Sequence, residues 1–430
     1  MDVVIAGYGV EGKASYDYWR ALGHAVAVAD ERDELTNTPD DAHTIVGANA
    51  FNELGGFDLI IRSPGVSPAK LPYGDKVWSA TNEFFAKCPA PIIGVTGTKG
   101  KGTTASLIAS ILRAADKTVH LVGNIGEPAL AVLPTIQSSD IVVYELSSFQ
   151  LWDAKRSPHI AVVLGIEPDH LDVHTDFNEY LAAKANIRRY QNLDDVCYYH
   201  PTNEFARQIA MTGDWPEYEQ EQQAWRAQAL RYATHESVYA QDGNFMARGS
   251  VICSTSAVQL PGEFNIENAC AAISAARNFT VDNQAIEQGL RAFTGLPHRL
   301  KFVAEKAGVN YYDDSIATTP GSAIAAMNSF HEPKVLILGG SDKGADYRLV
   351  VDAAKATGTT VLAIGQTGQH IYQLCQTAGV AAEYEAGTMP EVVAHAAQLA
   401  ARGSVVLLSP ASASFDQYKS YSDRGDQFIA

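Results

Sequence analysis

The stretch 92-IIGVTGTKGKGTT-104 decides the fold of the middle of the chain. Residues 92–95 are mostly β-branched and predict a buried strand, the glycines after them predict a turn, and residues 103–115 have helical spacing. Glycines let main-chain amides converge on an anion, and a helix N-terminus adds about half a positive charge. The stretch therefore predicts a loop that binds phosphate groups at the start of a helix.

The side chains of this loop suit a nucleoside triphosphate. Lys101 can reach the β- and γ-phosphates, and Thr103 or Thr104 can offer a hydroxyl to Mg²⁺. The strict P-loop pattern fails twice, because Val95 stands at its first glycine and Gly102 replaces the hydroxyl residue after the lysine. A glycine-rich turn with incidental lysines is the alternative.

The same alternation of strand and helix extends to both sides of this loop. Proline-rich 88-CPAP-91 and the turn 295-GLP-297 punctuate the chain, so we predict three consecutive α/β domains over residues 1–88, 89–296 and 297–430. Residues 303–312 predict one strand of the third domain. Residues 211–259 are rich in Gln and Glu, with short alternating strands, and predict little.

A second glycine turn opens the chain. Gly7, Gly9 and Gly12 follow a strand, and Asp30 stands about 20 residues later, which is the dinucleotide fingerprint of an NAD-dependent oxidoreductase. By itself this pattern leaves two alternatives open, a dinucleotide cofactor or another ligand with a diphosphate.

Composition excludes several classes of protein. The 430 residues are 46% hydrophobic and 19% charged, which is typical of a globular chain. The formal net charge of −17 argues against nonspecific binding to nucleic acid or to anionic membranes. The five cysteines are dispersed and form no CxxC pair, which favours a reducing compartment. The N-terminal residues lack the pattern of a secretory signal, and apolar windows such as 404–415 are too short to span a bilayer, so we expect a cytoplasmic protein.

Further segments carry a resemblance that covers the chain from about residue 7 to 428. They are 97-GTKGKGTT-104, 123-GNIG-126, 145-ELSSFQL-151, 168-PDHLDVH-174, 180-YLAAK-184, 262-GEFNIEN-268, 295-GLPHR-299, 313-DDSIAT-318 and 408-LSPASASFDQYK-419. In this order they resemble the motifs of the Mur ligases, whose relatives are the folylpolyglutamate synthetases. The last segment is most similar to the branch that adds D-glutamate to UDP-N-acetylmuramoyl-L-alanine.

The resemblance implies an ATP-dependent ligase that activates a carboxylate as an acyl phosphate in peptidoglycan precursor synthesis. The first domain would be Rossmann-like and bind the UDP-sugar, the central P-loop domain would bind ATP, and the third would bind the amino acid. Mg²⁺, as two ions, is the implied metal. The implied partners are UDP-N-acetylmuramoyl-L-alanine and D-glutamate, with no nucleic acid or membrane, and the chain would be a monomer.

The resemblance also assigns individual residues. The implied catalytic residues are Lys101, Glu145, His170, Lys184 and Arg299. ATP would contact Gly97, Thr98, Lys99, Gly100, Lys101, Gly102, Thr103, Thr104, Asn268, Arg299 and Asp314, with Asp314 on the ribose. Substrates would contact Gly7, Gly9, Gly12, Asp30, Arg32, Ser63, Pro64, Gly65, Asn82, Asn124, Ser147, Thr318, Lys343, Ser414 and Tyr421. Magnesium would be held by Thr103, Glu145, His170 and Lys184.

Two of these assignments have alternatives in the residues themselves. By composition Lys184 is an ordinary lysine on a helix surface, whereas the resemblance implies carbamylation by CO₂, which turns the cation into an anion. His170 and His174 are four residues apart, a spacing that suits zinc, but the other ligands of a zinc site are missing.

The match has departures. Ile316 stands where many family members carry lysine, Lys99 replaces an asparagine, and Gly102 resembles the folylpolyglutamate synthetases. The alternatives are therefore a Mur-type or folylpolyglutamate-type ligase with another acceptor or amino acid, and a nucleotide-binding relative that has lost catalysis.

Overall fold

Short apolar runs at the start of the chain form a parallel sheet in the computed structural model, which describes residues 1–35, 38–211, 228–342 and 344–430. The sheet has the order β3-β2-β1-β4-β5. Its strands are β1 Asp2–Ala6, β2 Ala25–Asp30, β3 His43–Val46, β4 Leu59–Arg62 and β5 Val77–Ser79, and its helices are α1 Val10–Ala21 and α2 Ala80–Lys87. The sheet order reverses beside β1, where the first glycine turn lies, and such a switch point is where open α/β sheets bind ligands.

The glycine-rich loop at residues 97–100 follows the central strand of a second parallel sheet. Its order is β11-β10-β9-β6-β8-β7. The strands are β6 Ile92–Thr96, β7 Val119–Gly123, β8 Ile141–Glu145, β9 Ile160–Val163, β10 Val196–Tyr199 and β11 Gln228–Arg231. The helices are α3 Lys101–Ala114, α4 Ala129–Val132, α5 Ser148–Leu151, α6 Phe177–Arg189, α7 Glu204–Met211, α8 Phe264–Ala276 and α9 Asn283–Ala292. Because β6, β8 and β9 are neighbours, the loops that follow them meet at one edge.

A small antiparallel sheet falls in the segment whose sequence was least informative. It consists of β12 Val238–Gln241, β13 Asn244–Ala247 and β14 Ser250–Ser254. Residues 212–227 of that segment lie outside the described residues.

A third sheet has the order β15-β16-β20-β17-β18-β19 and is parallel except for β15. Its strands are β15 Lys301–Lys306, β16 Val309–Asp313, β17 Lys334–Gly339, β18 Thr360–Ile364, β19 Ala382–Glu385 and β20 Val405–Leu408. Its helices are α10 Pro320–Met327, α11 Arg348–Thr357, α12 Gly365–Ala378, α13 Met389–Leu399 and α14 Tyr421–Ile429. The single strand predicted over 303–312 is wrong. Ala307 and Gly308 have positive φ and form a two-residue turn, so the run folds as a hairpin of β15 and β16.

The three predicted α/β regions are confirmed, while the domain boundaries remain predictions. The chain divides into two compact units, one of Met1–Ala257 with Glu267–Ala292 and one of Val258–Ile266 with Phe293–Ala430. The first unit contains the first two parallel sheets and the small antiparallel sheet. Within the described ranges, no helix has the length and apolar character needed to cross a membrane.

Candidate functional site

The loop between β6 and α3 needs glycine for both conformation and space. Gly97 has φ +156° and Gly100 has φ +81°. A Cβ at Gly97 would lie 2.7 Å from Cβ of Leu164, and one at Gly100 would lie 2.7 Å from Oδ1 of Asn268. The loop therefore fits closely between β9 and α8, with its exposed amide groups at the N-terminus of α3, which suits an anion.

Two lysines converge on one carbonyl of this loop. Lys101 Nζ donates to the carbonyl oxygens of Gly97 at 3.0 Å and Thr98 at 2.9 Å. Lys184 Nζ, from α6, donates to the same Gly97 oxygen at 2.9 Å and lies 4.7 Å from the centre of the Tyr180 ring. The site thus brings two lysine amines to the same oxygen of the glycine-rich loop.

Lys184 is 1% exposed, so the interpretation of this residue as an ordinary surface lysine is wrong. Burial, and secondarily the charge of Lys101, hold the pKa of Lys184 well below the ordinary value for lysine. A neutral buried amine is the form that reacts with CO₂, whereas an ammonium does not.

The other predicted loop residues have distinct roles. The Thr98 hydroxyl donates to the carbonyl of Glu167 and lies 3.0 Å from Tyr180 Oη, so it ties the loop to the segment after β9. Lys99 is exposed and lies 3.5 Å from the Glu167 carboxylate. The Thr104 hydroxyl donates to Asn268 Oδ1 at 3.4 Å. Thr103 is buried in the first turn of α3 together with Gly102.

Two of the predicted metal ligands follow strands of this sheet. Glu145 ends β8 and is buried, and His170 lies in the loop after β9 with an exposed ring, 4.9 Å from that of Phe149. Among the residues that the structure describes, no group of three His, Cys, Asp or Glu side chains is arranged to hold a metal ion. So sparse a set suits Mg²⁺, which keeps waters and binds substrate phosphates, better than zinc.

His174 does not pair with His170. Its Nε2 lies 3.0 Å from Ser148 Oγ, and its ring stacks on that of Phe149. The side chain is buried, and burial lowers its pKa. His174 is therefore a neutral packing residue, and the zinc pair is not formed.

The first glycine turn resembles the loop between β6 and α3, because it follows a strand, contains a glycine with positive φ and opens a helix. Gly7 has φ +89°, and a Cβ at Gly12 would overlap the carbonyl oxygen of Gly7. Ser63 Oγ donates to that oxygen at 2.6 Å, which joins the turn to the segment after β4, where Pro64 and Gly65 follow. These predicted residues therefore meet at the switch point of the first sheet.

Asp30 is fully engaged within the protein. It accepts hydrogen bonds from the Tyr8 amide at 2.7 Å and from Arg32 Nε and Nη2 at 2.9 and 2.8 Å. Burial opposes the charge of Asp30, but these donors prevail and lower its pKa to about 2. An oxidoreductase would need this carboxylate for ribose hydroxyls. In this structure Asp30 instead holds the turn and Arg32, which argues against the dinucleotide reading.

Asn82 is hydrogen-bonded within the protein. It is 1% exposed, its amide donates to the carbonyl of Asp153, and its oxygen accepts from the Lys155 amide. The side chain has almost no exposed surface in this conformation, and its pocket-lining role stays a prediction. Asn82 joins α2 to the segment after α5.

Sequence reasoning missed two further links between the first two sheets. Gln150 Nε2 donates to Glu11 at 2.6 Å, and Gln150 Oε1 accepts from the Ser147 amide, so Ser147 forms the N-cap of α5. Arg62 is buried and forms a two-pronged ion pair with Asp153, at 2.6 and 2.8 Å. Asn124, the remaining predicted residue here, is exposed beside the end of β8. Its main-chain amide donates to the Glu145 carbonyl. No motif pairs residues 60 to 140 positions apart, so these links were not predictable.

In the second unit, Arg299 is exposed, whereas Asp314 is hydrogen-bonded within the protein. Asp314 is buried and accepts from the Leu300 amide at 3.0 Å and from Ser409 Oγ at 2.7 Å. Burial raises its pKa to about 7. In this conformation the carboxyl group joins two loops, and its contact with the ribose stays a prediction.

The residues predicted to contact the amino acid lie on loops at the carboxyl edge of the third sheet. Thr318 is exposed after β16, Ser414 is buried after β20, and Tyr421 is partly exposed at the start of α14. The tail segment 408–419 contains one of these three residues, Ser414, and ends two residues before Tyr421. Lys343 lies outside the described residues.

Comparison with known proteins gives two family matches. Residues 95–276 match the Mur ligase middle domain, and residues 298–412 match the glutamate ligase domain of Mur ligases. Together these matches cover both the second sheet with its glycine-rich loop and most of the third sheet.

Individual proteins match over almost the whole chain. The chain is 34% identical over 448 residues to the UDP-N-acetylmuramoylalanine–D-glutamate ligase of Acetivibrio thermocellus, with 99% of this chain and 95% of that protein covered. It is 34% identical over 446 residues to the protein of the same name from Streptococcus pneumoniae, with 99% and 96% covered. The MurF ligase of Thermotoga maritima, solved in complex with ADP, has a TM-score of 0.57 at 15% identity and covers 99% of this chain and 93% of that one. At that identity the likeness shows the fold alone.

Proposed function

The chain belongs to the Mur ligase family, and we propose that it adds D-glutamate to UDP-N-acetylmuramoyl-L-alanine with cleavage of ATP to ADP and phosphate. The observation that carries the chemistry is the convergence of Lys101 and Lys184 on the Gly97 carbonyl, at the N-terminus of α3. The choice of substrates is supported by the relatives of that name, each similar over 99% of this chain.

The proposed reaction has two steps. The substrate carboxylate attacks the γ-phosphorus of ATP, which forms an acyl phosphate and releases ADP. The amino group of D-glutamate then attacks the acyl carbon, and inorganic phosphate leaves. In the first step the amide groups of residues 99–102 would bind phosphate oxygens, and Lys101 would turn from the Gly97 and Thr98 carbonyls to the transferring group.

Lys184 is the proposed site of carbamylation. The neutral amine would add to CO₂ and lose one proton, so that RNH₂ and CO₂ give RNHCOO⁻ and H⁺. The buried position beside Lys101 favours this, because both burial and the neighbouring charge disfavour the ammonium. The resulting anion would neutralise Lys101 and present oxygen atoms next to the loop.

The residues present fit Mg²⁺, as two ions. Thr103, Glu145, His170 and the carbamate of Lys184 would hold them, since hydroxyl and carboxylate oxygens are hard ligands and an unmodified ammonium is not a ligand. Bound there, the ions would neutralise charge on the phosphate groups. Because ATP and the UDP-sugar are intracellular metabolites, we place the reaction in the cytoplasm. We also propose that the chain acts as a monomer.

An amino-acid screen tests the proposal. Purified protein is given ATP, Mg²⁺ and UDP-N-acetylmuramoyl-L-alanine, and phosphate release is measured with D-glutamate, L-glutamate, D-alanine, L-lysine and no amino acid. We expect release with D-glutamate only. Release with another amino acid would assign a different Mur-type ligase, and no release with any of them would favour a relative that has lost catalysis, as the departures at Gly102 and Ile316 allow.

Lys343 tests the location of the amino-acid pocket. By resemblance its ammonium faces the glutamate side chain, so Lys343→Ala should raise the KM for D-glutamate by about 10-fold or more while the KM for ATP changes little. Steady-state kinetics with each substrate varied in turn measures both. Equal increases in the two KM values would move the glutamate pocket elsewhere.

A further inference from the structure

Arg424, on α14, is a fully buried cation that has no ion pair among the described residues. It is 0% exposed, and its hydrogen-bond partners are neutral. Its Nε donates to Ser315 Oγ at 2.9 Å, and its Nη2 donates to the carbonyls of Ser315 at 2.8 Å and Ser412 at 3.0 Å. Its Nη1 donates to the carbonyl of Ala413 at 3.2 Å.

These partners belong to the loops that carry the predicted amino-acid contacts. Ser315 is three residues before Thr318, and Ser412 and Ala413 immediately precede Ser414. The Ala413 carbonyl also accepts from the Ser341 amide, so the loop after β17 is joined to the same centre. Arg424 therefore lies behind the loops that follow β16, β17 and β20.

The loop after β17 is closed against the guanidinium. A Cβ at Gly340 would lie 3.0 Å from Arg424 Nη1, and Gly340 has φ +151°. Ser315 Oγ, which accepts from Arg424, itself donates to the carbonyl of Tyr421 at 2.8 Å. One guanidinium thus fixes the relative positions of the segments bearing Thr318, Ser414 and Tyr421.

Burial lowers the pKa of Arg424, and the charges of Asp416 and Asp313 act in the opposite direction without forming an ion pair with it. The two nearby carboxylates have other donors: Asp313 accepts from the Ser315 amide and lies 2.7 Å from His298 Nδ1, while Asp416 accepts from the Gln366 amide and from Ser341 Oγ. Because neither carboxylate is directly paired with Arg424, an anionic ligand in the adjoining pocket would add to the charges that favour the buried guanidinium.

We propose that Arg424 is a positioning residue for the amino-acid pocket, which shapes the three loops and supplies a buried positive charge that favours an acidic amino acid over a neutral one. The inference rests on the proposed function, because it takes glutamate as the substrate. It also identifies a source for the positive charge that is absent at Ile316, in the same loop as Ser315. Arg424 does not touch the substrate, since its side chain has no exposed surface.

The test compares D-glutamate with D-glutamine, its neutral isostere, in wild type and in Arg424→Gln, Arg424→Lys and Ser315→Ala. Arg424→Gln should raise the KM for D-glutamate by about 10-fold or more and lower the preference for D-glutamate over D-glutamine by a similar factor, with little change in the KM for ATP. Arg424→Lys should restore the preference, because it restores the charge. Ser315→Ala should raise the KM for D-glutamate and leave the preference unchanged, because the charge remains.

Arg348→Gln is the matched control, since Arg348 is an exposed arginine of the same unit paired with Asp346, and it should behave as wild type. If Arg424→Gln does not fold, a folded Arg424→Lys still tests the inference, because it keeps the charge and must keep the preference for D-glutamate over D-glutamine; loss of that preference would overturn the inference. An unchanged preference in a folded Arg424→Gln, or a lost preference in Ser315→Ala, would overturn the inference. Failure of wild type to use D-glutamate would instead refute the proposed function.

Discussion

The two glycine loops of the first unit share a backbone plan and differ in the charges beside them. Each follows a parallel strand, contains a glycine with positive φ and opens a helix. Beside the first, Asp30 and Arg32 neutralise each other. Beside the second, Lys101 and Lys184 converge on one carbonyl oxygen. The glycines therefore provide a place for an anion, and the neighbouring side chains decide what the anion does there.

A bound diphosphate and a transferring phosphoryl group make different demands. The first keeps its charge throughout the reaction, so fixed amides and a helix N-terminus are sufficient. The second gathers negative charge in the transition state, so mobile or additional cations stabilise it more than the ground state. The comparison predicts that charge changes at the second loop alter kcat, whereas changes at the first loop alter substrate affinity.

Lys101→Ala should have the largest effect. We expect kcat for phosphate release to fall by about 1,000-fold or more, because no other loop lysine of the described structure contacts the Gly97 and Thr98 carbonyls. Lys117→Ala is the matched control, since Lys117 is an exposed lysine just beyond the C-terminal end of α3, and should keep most of the activity. A near-normal rate in Lys101→Ala would refute the assignment of the loop to phosphoryl transfer.

Removal of CO₂ should have the next effect. If Lys184 works as a carbamate, degassed CO₂-free buffer should lower the rate by about 10-fold or more, and bicarbonate should restore it, because the loop otherwise lacks the anion that the carbamate supplies beside Lys101. Since the pKa of Lys184 is held low, the amine is neutral and reactive at higher pH and becomes protonated as the pH falls through that pKa. At a fixed concentration of dissolved CO₂, recovery should therefore be faster at the higher of two pH values. Carbon-13 NMR with labelled CO₂ provides an independent readout, and a carbamate signal that persists in Lys184→Arg would contradict the site.

Gly12→Ala tests the first loop through its backbone. The added methyl would overlap the Gly7 carbonyl, so the turn must shift. We expect the KM for the UDP-sugar to rise by about 10-fold and stability to fall by about 1–3 kcal/mol, with kcat changed less. Gly56→Ala is the control, because a Cβ there would meet no atom within 4 Å and Gly56 is not among the predicted substrate contacts. An equal rise in KM in Gly56→Ala would mean that the effect of Gly12→Ala does not arise from the fit of the turn.

The features of this comparison that the sequence reveals are the local ones. The strand, turn and helix around each glycine loop are specified by neighbouring residues, and both were predicted within a few positions. The burial of Lys184 was not, because it depends on how α6 packs across β6 and β9, which no local pattern encodes. The same reason hides Asn82, Asp314 and Arg424, whose partners come from distant segments.

The prediction of a single strand over residues 303–312 failed for a different reason. The turn residues of the β15–β16 hairpin, Ala307 and Gly308, lack the Asn-Gly or Asp-Gly signal of a two-residue turn, and Ala307 adopts a positive φ that alanine rarely takes. The apolar residues on both sides therefore look like one continuous strand. Strand pairing, a tertiary effect, overrides the local preference here.

Asp30→Asn should have the smallest effect on activity. It tests the first glycine loop, beside which Asp30 and Arg32 neutralise each other. The carboxylate has a pKa of about 2 in the folded protein, below its ordinary value of 3.8, so its charge stabilises the fold at pH values above about 4. That contribution is lost as the pH falls from 4 toward 2, because the folded state then takes up its proton. At pH 7 we expect the variant to lose about 2 kcal/mol, seen as a lower urea midpoint, and the gap from wild type to narrow near pH 3. Asp33→Asn, at an exposed position just beyond, is the control.

Since Tyr8 and Arg32 lose their acceptor in Asp30→Asn, the KM for the UDP-sugar should rise a few-fold with kcat unchanged. A fall in kcat instead would mean that the first loop also takes part in the chemical step, and the contrast between the loops would not hold.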